Sequence, residues 1–299
     1  MRSERIVDQA EGLRRLLAPA SARIVTVLAA KPGMGATSVV INLAAALGRS
    51  GKDVLVLDEH MTHNNVANSL AMRPRFDLMH AVRGEKSVAQ VIQRAPGRMN
   101  ILTASRAIQA LPTLDGTERE RMASSLVDAA DGMDAVLVDA AVQEDDRSLC
   151  ACLSGNEPLV LVTTPSVSGI TETYALIKRL VMQNGHQSFG IVINKVRSEQ
   201  EANTVFANMS HVARRHLNVR LEFLGAIPDD ESMKRATQLC KPVVEAFPGS
   251  VAAAAFEDLL CNMLVLPTAE YEDAQGGVMK LMQRLMRQAT PPNAMPAIG

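Results

Sequence analysis

RIVTVLAAKPGMGATSVVINLAAALGRSG (23–51) is the stretch on which the fold turns. It opens on RIVTVLAA (23–30), a short β-branched run of the kind that packs as a buried strand. KPGMGATS (31–38) follows, with two glycines in a tight turn, and then VVINLAAALGRSG (39–51), whose apolar residues recur at helical spacing. Strand, glycine-bearing turn and helix thus come in the order that a phosphate-binding loop requires.

Working outward, the same alternation repeats along the chain. DVLVLD (53–58), MNILTAS (99–105), DAVLVDA (134–140), PLVLVTT (158–164), FGIVINK (189–195) and FLGAIPDD (223–230) read as further strands, mostly apolar throughout rather than alternating. Such runs belong to a parallel sheet buried on both faces. Helices are expected near 86–94, at 118–130, near 168–183 and 199–217, and twice more after 230, with VAAAAF (251–256) in one of them. Strands alternating with helices predict an α/β fold, a doubly wound, mostly parallel sheet with helices on both faces. Three regions are expected: an N-terminal amphipathic arm over 1–20, a nucleotide-binding domain over 21–267, and a tail over 268–299.

Composition narrows the function. The chain has 299 residues, 47% hydrophobic but only 3% aromatic and without Trp, so its core is built of Ala, Val, Leu and Met. The formal net charge of −1 leaves no global field for nucleic acid, and no basic run stands out in the body of the chain. Direct nucleic-acid binding is therefore not expected. Cys150, Cys152, Cys240 and Cys261 form no CxxC pair, which fits free thiols in a reducing compartment. With no stretch of 18 apolar residues and no apolar leader, the sequence predicts a cytoplasmic protein.

In a phosphate loop, glycines let backbone N–H groups approach the phosphates at a helix N-terminus. A lysine then reaches the β/γ-phosphates and a Ser or Thr hydroxyl binds Mg²⁺. Gly33, Met34, Gly35, Thr37 and Ser38 fit that plan, but Ala36 stands where the lysine belongs. KPGMGATS resembles the deviant loop of the MinD/ParA family of P-loop ATPases, whose first lysine, here Lys31, reaches the partner's nucleotide across a dimer. Pro32 takes the place of that loop's first glycine.

The resemblance extends over roughly residues 21 to 260. It implies that the second strand ends in an Asp-x-Asp pair; here Asp58 matches and His60 occupies the second place. It implies Mg²⁺ held by Thr37, Asp58 and Asp139, with Lys31, Asp58 and His60 at the reacting phosphate. Asn194 and the pair Pro228–Asp229 look like the elements that contact adenine. The Ser/Thr-Pro-x-Gly switch expected after Asp139 is replaced by DAAVQ.

Two further features are similar to the flagellar-number regulators of this family, the FlhG branch. DQAEGLR (8–14), inside the helical stretch 4–18, resembles an arm that activates the GTPase FlhF. Asp8, Gln9, Ala10, Leu13 and Arg14 are its candidate contacts. TTPSVSGITETYALIKRL (163–180) resembles the stretch after that branch's fourth core strand. At the other end, VMKLMQRLMRQ (278–288) sets Val278, Leu281, Met282, Leu285 and Met286 against Lys280, Arg284 and Arg287, a pattern suited to an anionic membrane surface. The resemblance implies ATP and Mg²⁺ as cofactors, a nucleotide-dependent homodimer, a peripheral membrane location, and FlhF as partner. Flagellar switch proteins and a flagellar transcription activator are further expected partners. Ala36 and His60 leave two readings open, an ATPase switch and a non-hydrolysing scaffold or GTPase activator. A ParA-like partition role lacks the basic surface, and an Fe–S carrier of this fold would need a CxxC pair.

Overall fold

The computed structural model describes residues 22–61, 65–142 and 159–266. The candidate arm at 8–14, the candidate membrane helix at 278–288, Cys150 and Cys152 lie outside them.

Eight strands form one sheet in the order β3-β4-β2-β5-β1-β6-β7-β8. They are β1 (Arg23–Ala29), β2 (Val54–Asp58), β3 (Gln93–Ala95), β4 (Met99–Thr103), β5 (Ala135–Asp139), β6 (Leu159–Thr163), β7 (Ser188–Val196) and β8 (Arg220–Pro228). Every pairing is parallel except β3 with β4. The longer helices are α1 (Ala36–Arg49), α2 (Gly116–Ala130), α3 (Val167–Asn184), α4 (Glu199–Leu217), α5 (Glu231–Gln238) and α6 (Val251–Val265), with helical segments of three to six residues elsewhere among the described residues.

Alternation along each strand explains why the apolar runs have no polar side. Val25, Val27, Val54 and Val56 face α1 and α6, packing with Leu43, Leu47, Phe256 and Leu260. Leu28, Leu55, Leu57 and Val138 face the other layer, with Leu126 of α2, Ile177 of α3 and Met209 of α4. Arg23 ties the end of α6 to the start of β1, its guanidinium donating to the carbonyls of Met263, Leu264 and Leu266, each at 2.7 Å.

One expectation is corrected here. The stretch near 86–94 is helical only over Val88–Val91, and Gln93–Ala95 then pairs antiparallel with β4 as an edge strand. Gly97 (φ 73°) and Arg98 (φ 60°) turn the chain between them. Sheet pairing available through that hairpin outweighs the helical spacing of a short segment.

Order in the sheet determines where the site forms. After β1 the chain fills one side, with β2, β4 and the edge strand β3 laid outward and β5 inserted between β1 and β2, and then crosses to β6, β7 and β8 on the other. The crevice beyond the C-terminal ends of the strands at such a reversal is where open α/β sheets bind ligands.

Candidate nucleotide-binding site

The loop between β1 and α1 occupies that reversal. Gly33 (φ 88°) and Gly35 (φ 102°) adopt left-handed backbone that other residues take only with strain. Gly35 is the residue at the start of α1, and no side chain caps that end. By contrast α2, α3, α4, α5 and α6 each begin with an Asp or Ser side chain accepting a backbone N–H. The first N–H groups of α1 therefore remain available to an anion, as in a phosphate loop.

Asp58 and Asp139 end adjacent strands and are partners in the β2–β5 register. Both are fully buried. Asp58 accepts from the backbone N–H of His60 (3.0 Å) and of Val66 (2.9 Å). Asp139 is less provided for: neither carboxylate oxygen meets a hydrogen-bond donor among the described residues. The side chain facing it is the His60 imidazole, whose Nε2 lies 3.5 Å from Asp139 Oδ1 without the geometry of a directed hydrogen bond. Burial, and then the charge of Asp139, push the Asp58 carboxyl up to about 6. Burial pulls the His60 imidazole down, but the contact with Asp139 and the charges of Asp58 and Glu59 together raise it.

Glu59, between them, is also buried, and its carboxylate accepts from the Ala141 N–H at 3.1 Å. It therefore holds the chain leaving β5 in place beside β2. Thr37 and Ser38 are half-buried at the start of α1. Lys31 is exposed, with its ammonium donating to the Ser168 hydroxyl at the start of α3. Ala36 is buried and carries no charge, so the loop has no lysine at its helix end.

Opposite the loop, the Asn194 amide donates to the Met34 carbonyl (2.8 Å), and the Lys195 ammonium donates to the Gly33 carbonyl (2.9 Å). Pro228 ends β8, and the Asp229 N–H donates to the Val196 carbonyl at 2.9 Å. The residues singled out on the loop, at the ends of β2 and β5, and on β7 thus converge on one crevice. Four that the sequence did not single out belong to its surroundings: Glu59, Ser168, Lys195 and Asp230. Glu59, Ser168 and Lys195 carry no motif signal, because each acts through a partner distant in sequence, and Asp230 combines a local helix cap with a distant contact to Ala252.

Asp230 is the most consequential of these for stability. Its carboxylate caps α5 through the Ser232 N–H (2.8 Å) and also accepts from the Ala252 N–H (3.1 Å), joining the start of α6 to the end of β8. Chiefly the Ser232 N–H, and then that of Ala252, hold it below the ordinary carboxylate range against the opposing push of burial. A depressed carboxyl stabilises the fold above its unfolded pKa near 4 and loses that contribution as pH falls through its native value. Asp230→Ala is therefore expected to cost about 1 kcal/mol at neutral pH. In urea titrations the difference from wild type should shrink below about pH 4.

Buried Asp139 oxygens without donors, an uncapped helix start and a glycine cradle together fit a phosphate group with its divalent cation. The surface outside the crevice includes one basic hollow of about 600 Å³ near β3, lined by Arg73, Arg75 and Arg94. Among the described residues no helix is long and apolar enough to cross a membrane.

Comparison with known proteins agrees with this geometry. The model for the CobQ/CobB/MinD/ParA nucleotide binding domain matches residues 25–243. The antiactivator FleN of Pseudomonas aeruginosa is 32% identical over 235 residues, covering 79% of this chain and 84% of that protein. The flagellum site-determining protein YlxH of Helicobacter pylori is 23% identical over 268 residues, covering 89% and 90%. Among solved structures, the cell division ATPase MinD of Pyrococcus furiosus superposes with a TM-score of 0.61 at 25% identity, covering 82% of this chain and 100% of that one. MinD of Pyrococcus horikoshii, solved with Mg-ADP, gives a TM-score of 0.59 at 25% identity, covering 80% and 94%.

Proposed function

Because the chain belongs to the CobQ/CobB/MinD/ParA nucleotide-binding family, we propose that it is a MinD-type, nucleotide-dependent switch that regulates the number or placement of flagella. The observation that carries the nucleotide reading is the glycine cradle at the uncapped start of α1, facing two buried carboxylates on adjacent strands. The flagellar reading is supported by the likeness to FleN and YlxH.

In this proposal Gly33, Met34, Gly35, Ala36, Thr37 and Ser38 surround the phosphates of ATP. Thr37, Asp58 and Asp139 hold Mg²⁺, which supplies charge neutralisation at the β- and γ-phosphates. Asn194, Pro228 and Asp229 border the base. Lys31, whose ammonium donates to the Ser168 hydroxyl, serves the partner's nucleotide in a face-to-face homodimer. The arm at 8–14 stimulates an FlhF-type GTPase, and the helix at 278–288 binds the membrane surface when nucleotide drives dimerisation.

A second reading, a switch that binds nucleotide without turnover, is favoured by one observation. His60 stands where the family carries a second aspartate, so position 60 offers no carboxylate to orient an attacking water.

Calorimetry with Mg-ATP, followed by phosphate release on the same sample and with an Ala36→Lys variant alongside, separates the readings. Micromolar binding with turnover supports the switch, and binding without turnover supports the second reading. Absence of binding by both proteins would remove ATP from the function altogether.

A further inference from the structure

Lys195 does something that strand geometry does not normally allow. Successive side chains on a strand point to opposite faces, so Asn194 and Lys195 should diverge. Instead both reach the phosphate loop, and they do so at consecutive carbonyls: Met34 for Asn194 and Gly33 for Lys195. The cause lies in the backbone. Lys195 has φ 61°, and pairing of β7 with β8 jumps from Asn194↔Ile227 to Val196↔Pro228, leaving Lys195 as an extra residue in the ladder. A non-glycine residue in that conformation is strained, and such strain persists where the surroundings impose it. The Lys195 N–H donates to Asn194 Oδ1 at 2.9 Å, which fixes which end of the amide faces the loop.

The consequence follows from the planarity of the peptide bond. In a trans peptide the C=O of one residue and the N–H of the next point in opposite directions. Anchoring the Gly33 carbonyl toward β7 therefore turns the Met34 N–H away from it, and anchoring the Met34 carbonyl does the same for the Gly35 N–H. Those are the loop N–H groups that a phosphate cradle needs. A lysine at position 36 would ordinarily help to hold such a loop around its anion; Ala36 cannot.

We infer that Lys195 is a positioning residue for nucleotide binding: with Asn194 it clamps two successive peptide planes of the loop, so that the Met34 and Gly35 N–H groups face the phosphates. This rests on the nucleotide-binding reading above. It also limits Asn194, which has committed one Oδ1 lone pair and one amide hydrogen to the clamp and retains one of each for a base.

The test compares wild type, Lys195→Met and Lys195→Arg. Binding of Mg-ADP and of adenosine is measured by calorimetry, and the amide resonances of residues 33–37 are recorded without nucleotide. Lys195→Met should weaken ADP binding at least about tenfold, the loss of one charge-assisted hydrogen bond, while adenosine binding stays unchanged. Lys195→Arg, which still offers N–H donors, should recover most of the affinity. The Met34 and Gly35 amide resonances should move in Lys195→Met and return toward wild type in Lys195→Arg. Equal ADP affinity in wild type and Lys195→Met, or unmoved amides, would overturn the clamp. If wild type binds no nucleotide while the amides move as expected, the clamp stands and the nucleotide reading fails by itself.

Discussion

Gly35→Ala should disable the crevice and lower stability together, with a cost of about 2–4 kcal/mol, the sum of strain at positive φ and loss of a buried hydrogen bond. Gly35 sits at φ 102°, and a Cβ there runs into the Asn194 amide. The amide would have to leave the Met34 carbonyl, so the loop would lose the anchor that orients it. For a domain of this size that cost corresponds to a fall of on the order of 10 °C in Tm. Gly33→Ala is the internal control. Gly33 has φ 88°, but nothing lies within 4 Å of its added Cβ, so only the backbone strain remains. Thermal unfolding and Mg-ADP titration of both variants check this. Equal effects at the two positions would mean that backbone conformation alone matters and that the Asn194 contact is unimportant.

Asp139→Asn is expected to make the metal-free protein more stable while impairing its response to Mg²⁺. Asp139 is fully buried beside a second buried carboxylate, and its oxygens meet no hydrogen-bond donor among the described residues. Such a charge is costly unless a cation balances it. The pH dependence has a definite sign. Asp58, pushed up to about 6, and His60, also raised, both stabilise the fold at low pH and lose that contribution as pH rises through their native values. For Asp58 the loss develops between about pH 4 and 6 and amounts to on the order of 2–3 kcal/mol. Burial, the chief cause of the Asp58 shift, persists with asparagine at 139, but the neighbouring charge that adds to it and that raises His60 is removed, so the fall should partly flatten and Tm at pH 7.5 in chelator should increase. Added Mg²⁺ with nucleotide should then stabilise wild type and have little effect on the variant. A lower Tm for Asp139→Asn in chelator would show instead that the His60 contact makes Asp139 a structural group.

Much of the fold could be read from the chain alone. Wholly apolar runs such as VLVL (54–57) and AVLV (135–138) identify strands covered on both faces, because a half-exposed strand would alternate. Regular helices between them dictate a parallel sheet, since parallel neighbours need a crossover. The loop and the acidic strand ends were likewise legible, because a glycine turn between strand and helix and an aspartate at a strand terminus are local patterns. So was the absence of the loop lysine, a plain statement about position 36.

Strand pairing, and contacts between segments far apart in the chain, were decided only in three dimensions. Gln93–Ala95 is a strand because β4 is there to pair with it. His60 and Asp139 are 79 residues apart, yet the β2–β5 register brings them within 3.5 Å, and burial there, not residue type, sets the charge balance. Lys195 follows an ordinary strand pattern in sequence, and its position against the Gly33 carbonyl depends on one left-handed residue and a shift in pairing with β8. Local sequence specifies period, turns and termini because those are short-range sterics and hydrogen bonds; side-chain direction at an irregular strand end, and the dielectric around a carboxylate, are set by neighbours that only the folded chain assembles.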